Sequence, residues 1–205
     1  MMKLAVANIK GGVGKTTSSM YVAQAVVDRG GVATVYDADP QSSASLWADA
    51  ARDNGEELGF KVLPANLSTL SRLGRDERPD VWRIVDAPPQ GKLLQAAIES
   101  ADFVLVPTSD SPMDLQQAWA MLDEARASRP AAVLVVRAEP YTSAYRQTLD
   151  ALAEAGTPRF DTVIPKRQSI KKALGSRPRR LYEYRDLLTE LQAIAKDLNG
   201  AKVVR

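Results

Sequence analysis

The 205-residue chain contains no cysteine and no histidine. Without thiols it has no disulfide, no thiolate metal site and no iron–sulfur cluster. Without imidazole it lacks both the usual general base near neutral pH and the usual zinc ligand. Aromatic residues make up only 6% of the chain. Trp47, Trp82 and Trp119 read as core or interface packing rather than as a ligand platform. No apolar run reaches the roughly 18 residues that a membrane-spanning helix needs. The N-terminus passes almost directly into an apolar stretch, so no signal peptide is expected. What remains for catalysis is carboxylates, lysines, backbone dipoles and Mg²⁺. That inventory suits phosphoryl transfer, where positioning and charge stabilisation carry most of the rate.

The near-neutral balance, +2, hides an asymmetry. Seven basic residues (Lys166, Arg167, Lys171, Lys172, Arg177, Arg179 and Arg180) fall within residues 166–180, which hold no acid. Twenty Lys and Arg face 25 Asp and Glu in the rest of the chain. Such segregation suggests a polyanion footprint, against the bland alternative of a solvated charged face. With no aromatic inside the tract, sequence-independent contact with duplex phosphates is favoured over base stacking on single strands.

Apolar, β-rich runs alternate with helical patterns along the whole chain. Strands are predicted near 3–8, 32–37, 59–64, 81–86, 102–107, 131–137 and 160–164. Helices are predicted near 15–29, 42–54, 66–74, 91–100, 113–128, 143–155, 168–175 and 182–198. Continuous runs such as Phe103-Val104-Leu105-Val106 suit strands buried on both faces. The alternation implies right-handed βαβ units in an α/β, doubly wound, mostly parallel three-layer sheet, with residues 1–205 forming one domain. The last helix carries an apolar stripe of Leu187, Leu188, Leu191, Ile194 and Leu198, read as packing on the sheet.

Lys10-Gly11-Gly12-Val13-Gly14-Lys15-Thr16-Thr17 follows the first apolar run and precedes a helical pattern. This is strand, phosphate loop, helix. Glycines let backbone N–H groups turn inward around a polyphosphate, and the helix directs its positive end at it. Lys15 would reach the β- and γ-phosphates, and the Thr16 hydroxyl would ligate Mg²⁺. The general pattern begins with glycine five residues before the Gly-Lys pair, but Ile9 stands there. A second lysine, Lys10, comes next.

Three further stretches end predicted strands at the same edge of the sheet, where ligands of open α/β sheets lie. Asp37-Ala38-Asp39-Pro40-Gln41 reads equally as a turn with a helix cap or as a pair of site acids. Asp86, closing Val81-Trp82-Arg83-Ile84-Val85, has the form of an acid that holds Mg²⁺ directly or through water. Pro107 to Asp114 is a Pro-rich turn into a helix.

The pattern Lys-Gly-Gly-x-Gly-Lys-Thr, with Asp-x-Asp-Pro-Gln and Asp-Ala-Pro-Pro behind it, resembles the ParA/MinD family of ATPases, and in length the short plasmid-partition group. The resemblance implies ATP with Mg²⁺, held between two subunits, with Lys10 reaching the partner's nucleotide. It implies that Asp39 positions the attacking water, that Asp37 and Asp86 serve the metal, and that residues 11–17 hold the phosphates. The 107–114 loop would lie near the dimer face, with Asp114 as a ligand contact. Arg137 stands where some relatives carry a base-contacting Asn, and Pro165 would flank the base. It further implies a DNA-segregation ATPase, cytoplasmic and nucleoid-associated. The ATP dimer would bind double-stranded DNA without sequence preference, and a small ParB-type centromere-binding protein would stimulate hydrolysis. The alternatives are a MinD-like positioning ATPase on a membrane and a small metabolic kinase or ligase. The mixed charge on the last helix, from Glu183 to Asp197, fits poorly with anionic lipid.

Overall fold

The computed structural model describes residues 2–75 and 81–203. The strands are β1 (Lys3–Val6), β2 (Val32–Asp37), β3 (Lys61–Pro64), β4 (Val81–Asp86), β5 (Phe103–Thr108), β6 (Ala131–Ala138) and β7 (Ile164–Pro165). The helices are α1 (Lys15–Asp28), α2 (Ser43–Asp53), α3 (Leu67–Arg75), α4 (Lys92–Ser100), α5 (Pro112–Arg126), α6 (Ser143–Glu154), α7 (Gln168–Lys172) and α8 (Tyr184–Val203). The strands form one sheet in the order β3-β2-β4-β1-β5-β6-β7. Every pairing is parallel.

Period-two alternation divides each central strand between two cores. Leu4, Val6, Ile84, Leu105 and Leu134 point to one face, where α1, α2 and α8 pack. Ala5, Val85, Val104, Val106 and Val133 point to the other, beneath α3 to α6. Leu187, Leu188 and Leu191 of α8 are buried in the first core, so its apolar stripe is occupied within the chain.

Registration sets up the site. Val6 pairs with Asp86, and Asp86 pairs with Asp37. The ends of β1, β4 and β2 therefore stand at one level, with the phosphate loop leaving β1 beside both acids.

Three elements depart most from the expected boundaries. The seventh strand is interrupted: Arg159 bridges to Val133, and pairing resumes only at Ile164–Pro165. Between them the Glu190 carboxylate of α8 accepts from the Asp161 and Thr162 N–H groups, each at 2.9 Å, diverting this backbone from β6. The seventh helix stops at Lys172 rather than 175, because Gly175 and Ser176 are drawn onto α2 and its C-terminal end. Trp47 Nε1 donates to the Ser176 carbonyl at 2.8 Å, and Asn54 Nδ2 to the Gly175 carbonyl at 3.2 Å. The last helix runs from Tyr184 to Val203, starting later and ending later than its periodicity implied.

Candidate functional site

The loop from Ile9 to Gly14 turns back on itself through Gly12 (φ 75°) and Gly14 (φ 92°), in the left-handed region open to glycine. Gly14 leads into α1 without a side-chain cap, and no acid occupies the first turn. The leading amides of the helix are thus left for an external anion. Lys15 is buried, and its Nζ donates to the Lys10 carbonyl at 3.1 Å, folding the side chain over the loop. Burial lowers its pKa, while the charges of Asp86 and Asp39 pull it back up.

Beneath the loop, Thr16 Oγ1 donates to Asp86 at 2.7 Å, and Ser19 Oγ reaches the other carboxylate oxygen at 3.3 Å. Asp86 is almost wholly enclosed, and burial pushes its pKa up to about 7. The neighbouring Asp37 raises it too, while the Thr16 and Ser19 hydroxyls and Lys15 oppose the rise. An enclosed carboxylate facing a second acid and a threonine hydroxyl suits a hard divalent cation. No cluster of three or more acids stands ready for a metal among the described residues. Mg²⁺ would therefore complete its shell with phosphate oxygens and water, its habit in nucleotide sites.

The two acids after β2 divide the work. Asp37 accepts from the Ser45 N–H at 2.8 Å and the Ser45 hydroxyl at 2.7 Å, tying the first turn of α2 to the strand end. Asp37 thus tethers α2 and is also the cross-strand neighbour of Asp86. Asp39 is partly exposed and accepts from the Gln41 N–H at 2.9 Å. It lines a cleft of about 970 Å³ with Gly11, Lys15, Thr16 and the Pro88–Gly91 turn. A second cleft of about 560 Å³ lies across the loop, bounded by Arg137, Ile164, Pro165, Arg167 and Tyr184. The two share Gly12, Gly14 and Thr17, as an elongated ligand that straddles the loop requires.

Lys10 projects from the loop and its ammonium donates to Asp114 at the start of α5. Asp114 is buried and also accepts from Ser109 Oγ at 2.7 Å. Burial pushes its pKa up, but hydrogen bonds from Lys10 and Ser109, with the charges of Lys10 and Arg137, outweigh that and hold it low. Asp114, a candidate ligand contact, is in the structure the partner of Lys10. Asn8 completes the arrangement. Its Oδ1 accepts from the Lys10 N–H at 2.9 Å, and its Nδ2 donates to the Pro107 carbonyl at 2.8 Å. Neither Asn8 nor Ser109 is marked as functional by the sequence. The only signal for Asn8 is its position as a lone polar residue between an apolar strand and the glycines.

Arg137 lies at the rim of the second cleft, but its guanidinium donates to the Gly12 carbonyl at 2.8 Å. The basic tract changes more. Lys166 pairs with Glu139 at 2.8 Å, Arg167 pairs with Glu183, Arg177 stands 3.9 Å from Asp28, and Arg179 lies 3.3 Å from Glu56. Arg167 also stacks 4.7 Å from the Tyr182 ring centroid. The tract holds no acid in sequence, yet folding brings four to it. Lys171, Lys172 and Arg180 are exposed and have no ion pair among the described residues.

Residues 4–177 match the family model of the CobQ/CobB/MinD/ParA nucleotide binding domain. The maintenance of carboxysome distribution protein A of Halothiobacillus neapolitanus is 31% identical over 180 residues, covering 83% of this chain and 82% of that protein. The chromosome-partitioning ATPase Soj of Thermus thermophilus is 31% identical over 209 residues, covering 83% and 84%. Cobyrinic acid a,c-diamide synthase of Mycobacterium smegmatis, solved with an ATP analogue and magnesium, superposes with a TM-score of 0.68 at 21% identity, covering 96% of each chain.

Proposed function

The chain belongs to the CobQ/CobB/MinD/ParA nucleotide-binding family; from that premise we propose that it is a partition-type ATPase that uses ATP and Mg²⁺ and whose ATP-bound dimer attaches to DNA. One observation carries this reading. A second lysine, Lys10, stands at the mouth of the phosphate loop, with its side chain 40% exposed and, among the described residues, held only by Asp114. A single-subunit nucleotide site has no need of it. Lys10 exchanges Asp114 for the phosphates of the facing subunit's nucleotide and so joins two copies.

In the closed site, Lys15 and the amides of residues 11–17 bind the phosphates, and Thr16 and Asp86 hold the metal. Mg²⁺, when bound, neutralises charge that develops on the phosphate oxygens. Asp39, at the open side of the first cleft, orients the attacking water and accepts its hydrogen bond. Lys171, Lys172 and Arg180 supply the DNA contacts, which neutralise phosphates without reading bases. The named relatives act in chromosome partitioning and in carboxysome distribution. The cargo here is accordingly a DNA molecule or a body carried on one, and a small cargo-bound protein stimulates hydrolysis. The membrane alternative is disfavoured because α8 spends its apolar face on the core. No helix among the described residues is long and apolar enough to cross a membrane.

The test is a DNA titration with ADP, with ATP and with a non-hydrolysable analogue, each at two salt concentrations. Tight binding with ATP and the analogue, weak binding with ADP and a steep salt dependence are expected. Equal binding in all three states would refute the reading. So would rapid turnover that needs only a small-molecule acceptor.

A further inference from the structure

Arg137 is held in an unusual way, and three observations at this one residue agree. Its φ is 55°, in the left-handed region, where a side chain that is neither Gly nor Asn sits at a cost. The pairing of β6 with β7 shifts register between Val136 and Ala138, so Arg137 occupies an irregularity in the sheet. Such bulges re-aim a side chain and concentrate beside functional sites. The side chain so re-aimed runs from the end of β6 to the phosphate loop and donates to the Gly12 carbonyl at 2.8 Å.

The acceptor matters. The Gly12 carbonyl shares a planar trans peptide with the Val13 N–H, and the two point in opposite directions. A guanidinium that fixes the carbonyl on the outer side of the loop fixes the N–H toward the inner side. Gly12 has no side chain to hold that peptide by itself, and its φ of 75° belongs to a region glycine enters and leaves freely. The Val13 N–H has no hydrogen-bond partner among the described residues. We infer that Arg137 is a positioning residue of the ATPase reaction: it clamps the Gly12–Val13 peptide so that the Val13 N–H faces the nucleotide's phosphates. The base contact that the family resemblance implies at this position is then not its main task. Its guanidinium serves the phosphate end of the site, whatever base is bound.

One experiment separates the two roles. A fluorescent ATP analogue bound to wild type, Arg137→Ala and Arg137→Gly is displaced with Mg-ATP and, separately, with Mg-tripolyphosphate, which has no base. The Gly variant tolerates the left-handed backbone, so the fold is kept while the clamp is lost. Loss of one charged hydrogen bond is expected to weaken both competitors by the same factor, about tenfold. Melting temperatures without nucleotide should stay near the wild-type value. Weaker ATP with unchanged tripolyphosphate would overturn the inference and make Arg137 a base contact. Unchanged affinity for both would show the Gly12 hydrogen bond to be idle.

Discussion

Lys10 donates to Asp114 across 104 residues of sequence, joining the phosphate loop to the start of α5. Both groups lie beside the site, and the pair occupies a lysine that the proposed dimer needs elsewhere. In the proposed dimer this contact must open before Lys10 reaches a second subunit.

Asp114→Asn should therefore favour ATP-dependent dimerisation. Partly exposed ion pairs contribute about 0.2–1 kcal/mol each, and a dimer must open two, so dimerisation should tighten from about twofold to about thirtyfold. Sedimentation at a series of protein concentrations measures this. The Asp114 pKa is depressed, so the pair's contribution is present above the ordinary carboxylate range and is lost as pH falls through the lowered value. Weaker dimerisation of the variant would mean that Asp114 contributes directly to the interface.

Asp86 gives the opposite pH dependence. Its pKa is raised to about 7, so its favourable contribution is complete below the ordinary carboxylate pKa and is lost as pH rises through about 7. Asp86→Asn removes the buried charge. In metal-free, nucleotide-free protein the variant should exceed wild type in stability by more near pH 8 than near pH 5, the gap widening by an amount on the order of a few kcal/mol. Thermal melts at the two pH values measure this. The same variant should lose Mg²⁺-dependent hydrolysis. A stability gap of equal size at both pH values would contradict the assignment of a buried, titrating acid.

The basic tract divides into two groups with different consequences. Replacing Lys171, Lys172 and Arg180 by Ala should weaken DNA binding and flatten its salt dependence, by about 0.9 in the log–log slope for each phosphate no longer neutralised. Replacing Lys166, Arg167, Arg177 and Arg179 removes partners of Glu139, Glu183, Asp28 and Glu56. That set should lower the melting temperature more than it lowers DNA affinity. The reverse pattern in electrophoretic or anisotropy titrations would return the footprint to the paired residues.

The fold was legible because strands such as Phe103–Val106 are apolar on both faces, a pattern that only a covered parallel sheet explains. The phosphate loop was legible from spacing alone, and Asp37 and Asp86 from the places where apolar strands stop. The pairs that tune the site were not. Asn8 meets the Pro107 carbonyl and Lys10 meets Asp114 across about a hundred residues, and only the β1–β5 pairing brings them together. The same limit applies to residues 166–180, where charge counted along the chain overstates what is free. Folding returns acids to that surface from α1, the turn after α2, the end of β6 and the approach to α8. The interruption of β7 arises in the same way, since Glu190 competes for backbone donors from another element. Arg137 stands out in the sequence, but its backbone conformation and its Gly12 partner have no signature there.

The central claim is that Lys10 makes one nucleotide site out of two subunits. It is tested most directly by sedimentation of Lys10→Ala with saturating non-hydrolysable ATP analogue and Mg²⁺, beside a measurement of nucleotide affinity. The variant should bind the analogue through Lys15 and the loop amides, yet sediment as a monomer at concentrations where wild type is a dimer. A Lys10→Ala protein that dimerises with the analogue as wild type does would contradict the account.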